Sequence, residues 1–164
     1  MAAAAAVAAT LVVIALVSGG SDSRSSGGET TGAADAGVGP SVRVARSKFG
    51  RMLTDGDGRT LYVFDKDRRN RSLCTGKCAR VWPPALAARH PTAGPGVDEA
   101  KLTTIARGSS SRQLVYNGRP LYRLSGETTP GATGGEGYLG AWWIVSPRGE
   151  RIVAPGLTPS TSEY

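Results

Sequence analysis

Two cysteines, four clustered carboxylates, one histidine and a set of aromatics are the residues of this 164-residue chain whose chemistry could exceed packing. Cys74 and Cys78, spaced C-T-G-K-C, are its only thiols. One helical turn between them would bring their Cα atoms to about 6 Å, inside the range that a disulfide bridges. The bond would close a five-residue loop and contribute only about 2 kcal/mol in the chain-entropy model, so it pins a turn rather than the fold. Dithiol redox exchange or thiolate metal binding is the alternative. The spacing is not C-x-x-C, however, and no His follows Cys78 as haem attachment requires.

Asp55, Asp57, Asp65 and Asp67 are the first residues to weigh for a cation. An EF-hand starting at Asp55 would put Lys66 where the twelfth-position Glu belongs, which excludes that loop. Asp55 and Asp57 stand where a tight turn wants Asp beside Gly. Asp67 has a plain role as a strand-end carboxylate accepting N–H groups or pairing with Arg, and a sharper one as a calcium ligand or general acid. Catalysis by paired carboxylates also needs a cleft that raises one pKa. His90, next to Pro91, reads as a loop residue without ligand partners. Tyr62, Phe64, Trp82, Tyr122, Trp142 and Trp143 either fill a core or, if Trp82, Trp142 or Trp143 is exposed, line a groove for a sugar or quinone. One His and two Cys cannot build a four-ligand Cys/His zinc site, a Ser-His-Asp triad would need His90, and no phosphate loop or dinucleotide fingerprint is present. No catalytic residue, metal or cofactor is therefore expected.

The elements that must hold these residues come in two copies. Gly58-Arg59-Thr60-Leu61-Tyr62-Val63-Phe64-Asp65-Lys66-Asp67 aligns with Gly118-Arg119-Pro120-Leu121-Tyr122-Arg123-Leu124-Ser125-Gly126-Glu127 at an offset of 60, which also carries Trp82 to Trp142. Each copy begins as a hairpin. Met52–Thr54 and Arg59–Asp65 flank Asp55-Gly56-Asp57-Gly58, while Arg112–Tyr116 and Arg119–Leu124 flank Asn117-Gly118, the strongest two-residue hairpin signal. Alternation assigns Tyr62 with Phe64, and Tyr122 with Leu124, to a shared core face, and Leu61 with Val63 to a less consistently buried one. A short helix over Gly76–Val81 should stop at Trp82-Pro83-Pro84. Leu102–Ile105 reads as a short strand, Gly126–Gly140 with its six glycines as a long loop, and Ala141–Ser146 as a buried strand. The fold class expected is mainly β, with a small α+β arrangement as its variant.

Met1–Val17 is apolar except for Thr10 and is followed by Ser18-Gly19-Gly20-Ser21, so residues 1–19 read as a signal peptide or signal anchor. Residues 20–40 form a Ser/Gly/Ala linker, 41–153 the domain (unit one about 50–84, unit two about 112–147), and 154–164 a disordered tail. Val17-Ser18-Gly19-Gly20 resembles a bacterial lipobox with Gly20 in place of the lipid-bearing Cys. Residues 41–90 carry twelve Lys/Arg against four Asp, whereas 91–164 carry seven against six acids. Arg68, Arg69 and Arg71 concentrate that surplus in one loop, a candidate anion-binding site for a cell-wall polymer or lipid head groups. Nucleic acid is not an expected partner of an exported chain, and membrane contact is expected only through the N-terminal segment.

Tyr62-Val63-Phe64-Asp65-Lys66-Asp67 fits Y-x-[FWY]-x-x-D. With Leu53-Thr54-Asp55, Gly58–Leu61, Cys74/Cys78, Ala79–Pro84, Tyr116–Tyr122 and Trp142–Pro147, it resembles the "secreted repeat of unknown function" family of predicted bacterial lipoproteins. The resemblance spans roughly residues 50–147 and implies export, two tandem units and no established activity. The second motif departs from the pattern, with Leu124 for the aromatic and Glu127 for Asp. The combined expectation is an extracytoplasmic, non-enzymatic binding module for an anionic envelope component. The alternative is a small redox or metal-handling protein using Cys74 and Cys78.

Overall fold

In the computed structural model, which describes residues 41–87, 90–157 and 159, the elements follow in chain order. They are β1 (Val42–Ser47), β2 (Gly50–Asp55), β3 (Tyr62–Phe64), α1 (Lys77–Val81), β4 (Leu86–Ala87), a 3-10 turn (Glu99–Lys101), β5 (Leu102–Arg107), β6 (Ser111–Tyr116), β7 (Arg119–Pro120), a second 3-10 turn (Tyr138–Gly140) and β8 (Trp142–Ile144). The class is mainly β, in small antiparallel sheets. The expected signal segment, 1–19, and linker, 20–40, lie outside the described residues.

The 60-residue repeat is a repeat of structure as well as sequence. β1 pairs with β2 from Val42 opposite Asp55 to Ser47 opposite Gly50, and β5 pairs with β6 from Leu102 opposite Tyr116 to Arg107 opposite Ser111. The expected second hairpin is present, with β6 and β7 joined through Asn117 and Gly118, both at positive φ (51° and 76°). The first is present too, though short: Thr54 bridges Thr60 antiparallel, with Asp55 N donating to Arg59 O and Leu61 N to Leu53 O, while the longer partner of β2 is β1. β3 leaves instead for β8, with Tyr62 opposite Ile144 and Phe64 opposite Trp142.

That departure is mirrored in the second unit, so the units are intertwined. Asp65 N donates to Ala141 O and Val145 N to Leu61 O; sixty residues away, Ser125 N donates to Val81 O and Ala85 N to Leu121 O. The last segment of each unit thus closes the sheet of the other. At the centre Tyr62 N donates to Tyr122 O and Tyr122 N to Tyr62 O, both at 2.9 Å. A pseudo-two-fold axis passes through this pair. Pro83 and Pro84 replace the N–H-bearing Trp143 and Ile144 of the other copy, so this side has one bridge, Pro84 with Tyr122, where β3 and β8 form a ladder.

Alternation along these central strands feeds two cores rather than one. Leu53, Leu61, Val63, Leu121, Trp143 and Val145 belong to one cluster, with Leu114 and Tyr116. Met52, Tyr62, Tyr122, Trp142 and Ile144 belong to the other, with Trp82 and Cys74. This corrects the expected faces: Leu61 and Val63 are fully buried, while Phe64 and Leu124 are only partly so. A strand covered on both faces has no solvent side. Buried Leu or Val side chains each contribute about 1.5–3 kcal/mol, so both faces are stabilising.

The C-terminal boundary also shifts. Val145 bridges Arg151, Ala154 is buried, and the Leu157 side chain lies against Gly137. Residues 154–157 therefore pack on the domain rather than forming the start of the expected tail.

Candidate functional site

The motif residues meet across the axis. The Tyr62 hydroxyl donates to the Glu127 carboxylate, at 2.9 and 2.8 Å from its two oxygens, and the Tyr122 hydroxyl to Asp67 Oδ2 at 2.6 Å. Each motif tyrosine thus binds the acid of the other motif copy. Each acid also accepts backbone N–H groups of its own connector: Asp67 from Leu73, and Glu127 from Gly134 and Gly135. Glu127 takes the structural place of Asp67, with a longer side chain. Burial pushes both phenol pKa values up, and the facing carboxylates push them further. Burial also raises the Asp67 carboxyl, against the Leu73 N–H, the Tyr122 hydroxyl and the Arg107 and Arg119 charges.

The remaining carboxylates are clamps. Asp55 Oδ1 accepts the Asp57 and Arg59 N–H groups as an Asx turn, as turn chemistry predicts. Its Oδ2, nearly inaccessible, lies 2.9 Å from Arg123 Nε and 3.4 Å from Arg59 Nε, as ion pairs rather than aligned hydrogen bonds. The contact with Arg123 ties the units together. Asp65 accepts from Trp143 Nε1 at 2.7 Å and pairs with Arg119 and Arg151. His90 is exposed, and among the described residues no three His, Cys, Asp or Glu side chains are grouped to hold a metal ion.

Two surface features remain once these internal pairs are set aside. The first is the basic tip. Arg68 and Arg71 exchange backbone bonds around Arg69 and Asn70, the latter at φ 55°, and Asn70 N donates to Gly118 O at 2.7 Å. Gly131 N donates to Gly58 O in the equivalent place, so each connector hangs on the other unit's turn. Gly118 is required there, because a Cβ would meet Arg69 Cγ at 2.9 Å. Arg68, Arg69 and Arg71 are exposed, and none forms an ion pair with another described residue, unlike Arg59, Arg119, Arg123 and Arg151. Arg68 and Arg69 line a cleft of about 220 Å³ with Phe64, Asp67 and the residues 117–120.

The second feature is an aromatic groove. Cys74 and Cys78 form a disulfide with Cα atoms 5.2 Å apart, and α1 follows as expected, ending at Trp82 before the prolines. Arg107 of the second unit donates to Ser72 Oγ and Cys74 O, holding this turn from across the molecule. Trp142 is sandwiched: Trp82 stacks on it at 4.0 Å and Phe64 at 4.3 Å, with interplanar angles of 4° and 14°. Trp82, Trp142 and Trp143 are all buried, which corrects the expectation of an exposed tryptophan; stacking and core packing take their surfaces. The exposed apolar residues beside the stack are Val81, Tyr138 and Leu139, which motif reading missed. A Tyr-Leu pair set among Gly137 and Gly140 in an otherwise small-residue loop was the available signal.

Residues 43–86 match the model of a family described as a secreted repeat of unknown function. The match runs from β1 into β4, and the resemblance read from the motifs is shown over that unit. The family's description as secreted supports an extracytoplasmic location. No curated protein and no solved structure matches the chain.

Proposed function

We propose that this domain is a non-enzymatic binding module of the cell envelope that meets an anionic component through its basic tip. The observation that carries this reading is the separation of the arginines into two populations. Those near the axis are consumed by Asp55 and Asp65, while Arg68, Arg69 and Arg71 stand exposed on one tight hairpin without carboxylate partners among the described residues. A turn that hangs on Gly118 presents these side chains at low ordering cost. Both acids are already engaged, each by a phenol and by backbone N–H groups, which favours binding over acid–base chemistry.

The test is retention of the full chain on anionic cell wall and on vesicles containing anionic lipid, against the variant with Arg68, Arg69 and Arg71 changed to Ser. Each basic residue near such a surface contributes about 1 kcal/mol, so the triple variant should bind on the order of 100-fold more weakly. Retention of the wild-type chain should also fall steeply with salt. Equal, salt-insensitive retention of both proteins would sink the reading.

A further inference from the structure

Between α1 and the Tyr138–Gly140 turn lies a groove of about 470 Å³, within the roughly 300–1,000 Å³ typical of small-molecule sites. Its wall is the Phe64–Trp142–Trp82 stack with Val81, Tyr138 and Leu139. Lys66 and Lys77, both exposed, line it as well, and no carboxylate is among the described lining residues. The groove is therefore apolar in its walls and cationic in its charge.

Leu139 singles the groove out. It is 77 % exposed, and its φ of 52° lies in the left-handed region that a leucine rarely adopts. Exposure and backbone strain are both unfavourable to folding, and they fall on the same residue. Strain of this kind clusters where a ligand is clamped. Gly137 and Gly140, at φ 74° and 61°, supply the turn that lifts Tyr138 and Leu139 beside the stack.

The stack also limits what can enter. Both faces of Trp142 are taken, by Trp82 and Phe64, so a flat ring cannot intercalate there. A ligand must lie along ring edges and aliphatic groups, which suits a flexible hydrocarbon chain. A sugar would need more hydrogen-bonding side chains than the Tyr138 hydroxyl and the Lys77 ammonium provide. We infer that this groove is a binding site for a single-chain acyl anion, its chain packed along the stack against Leu139 and its carboxylate or phosphate head directed to Lys77. The site goes beyond the basic tip and does not depend on it.

The full chain is titrated with laurate, kept monomeric, while tryptophan fluorescence is followed. The expected result is a saturable change, with dodecyltrimethylammonium binding at least tenfold more weakly. Leu139→Gly should keep or raise the thermal midpoint, because it relieves the strained φ, and should weaken laurate binding at least fivefold. Lys77→Glu should weaken laurate binding by a similar factor. The Arg68/Arg69/Arg71 to Ser variant should bind laurate as the wild type does, even if it has lost the anionic wall. Four results would overturn the assignment: no saturable binding of monomeric laurate, including the case in which only anionic vesicles bind; equal affinity for both head groups; an unchanged affinity in Leu139→Gly; or loss of laurate binding in the arginine variant.

Discussion

The two units share one backbone plan and differ in what hangs from it. From β1 to β3 and from β5 to Tyr122 the pairing repeats, at an offset of 60 except across β2 and β6, where Leu53 corresponds to Leu114 and Asp55 to Tyr116. The connectors after them diverge. Unit one carries the Arg68–Arg71 tip, the Cys74–Cys78 bond and α1; unit two carries Thr128-Thr129-Pro130-Gly131, a glycine run and one 3-10 turn. Bracing differs accordingly. A disulfide holds the first connector, whereas Glu127 and Glu136 hold the second by accepting backbone N–H groups at Gly134, Gly135, Ile144 and Ala154. Symmetry is kept where strands must pair and abandoned where side chains face solvent. Both candidate surfaces lie in the divergent parts.

The largest expected effect breaks the symmetry inside the stack. Trp142→Ala should cost about 3–5 kcal/mol in denaturant unfolding. Its mate Trp82→Ala should cost less: each tryptophan touches three rings, but Trp142 stacks on two of them, whereas Trp82 stacks on one and meets Tyr62 and Tyr138 at an edge or tilt. Equal costs would mean that stacking on Phe64 contributes no more than the edge and tilted contacts of Trp82.

Next come the crossed pairs. Tyr62→Phe and Tyr122→Phe should each cost about 1–3 kcal/mol at neutral pH, since each leaves a carboxylate without its phenol. Both phenol pKa values are raised in the folded chain, so the stabilisation from the neutral phenols is complete below the unfolded tyrosine value of about 10 and is lost as pH rises through the higher folded values. Alkaline unfolding of the wild type should therefore release both phenolates together, and each Phe variant should show a shallower alkaline limb. A phenolate that appears near pH 10 before unfolding would contradict the pairing.

The smallest effect separates the two acids. Asp67 is raised by burial, so its contribution is full below the unfolded carboxyl value of about 3.9 and is lost as pH rises through the folded value. The cost of Asp67→Asn should accordingly be greatest in acid and shrink toward neutrality, in unfolding curves taken at successive pH values. A cost that grows with pH would show that the Arg107 and Arg119 charges outweigh burial.

Much of this frame was legible in the residues. The offset of 60 was plain, Asn117-Gly118 announced its turn, and Pro83-Pro84 marked the end of α1. β1 was not read, because Val42–Ser47 and Leu102–Arg107 match in position and hardly in residue type. The crossing of β3 to β8 and the Tyr62–Tyr122 contact join residues sixty or more apart, which no local pattern encodes. For the same reason the motif spacing displayed a tyrosine and an acid in each copy but not that each tyrosine serves the other copy's acid. Burial of all three tryptophans followed from strands covered on both faces, an arrangement that alternation within a single strand cannot reveal. The groove was hidden because its walls come from two connectors and its exposed leucine sits on a strained turn.

The reciprocal contact at Tyr62 and Tyr122 is isologous in character: each side offers the other what it receives. A half-length chain with this plan would be self-complementary and would close with a second copy as a two-fold dimer. Fusion of two such halves replaces encounter in solution by an effective concentration on the order of millimolar, without a new contact. It also ends the rule by which every substitution in a homodimer appears twice. From that point one half could gather arginines and a disulfide while the other gathered glycines, and the shared strands needed no change.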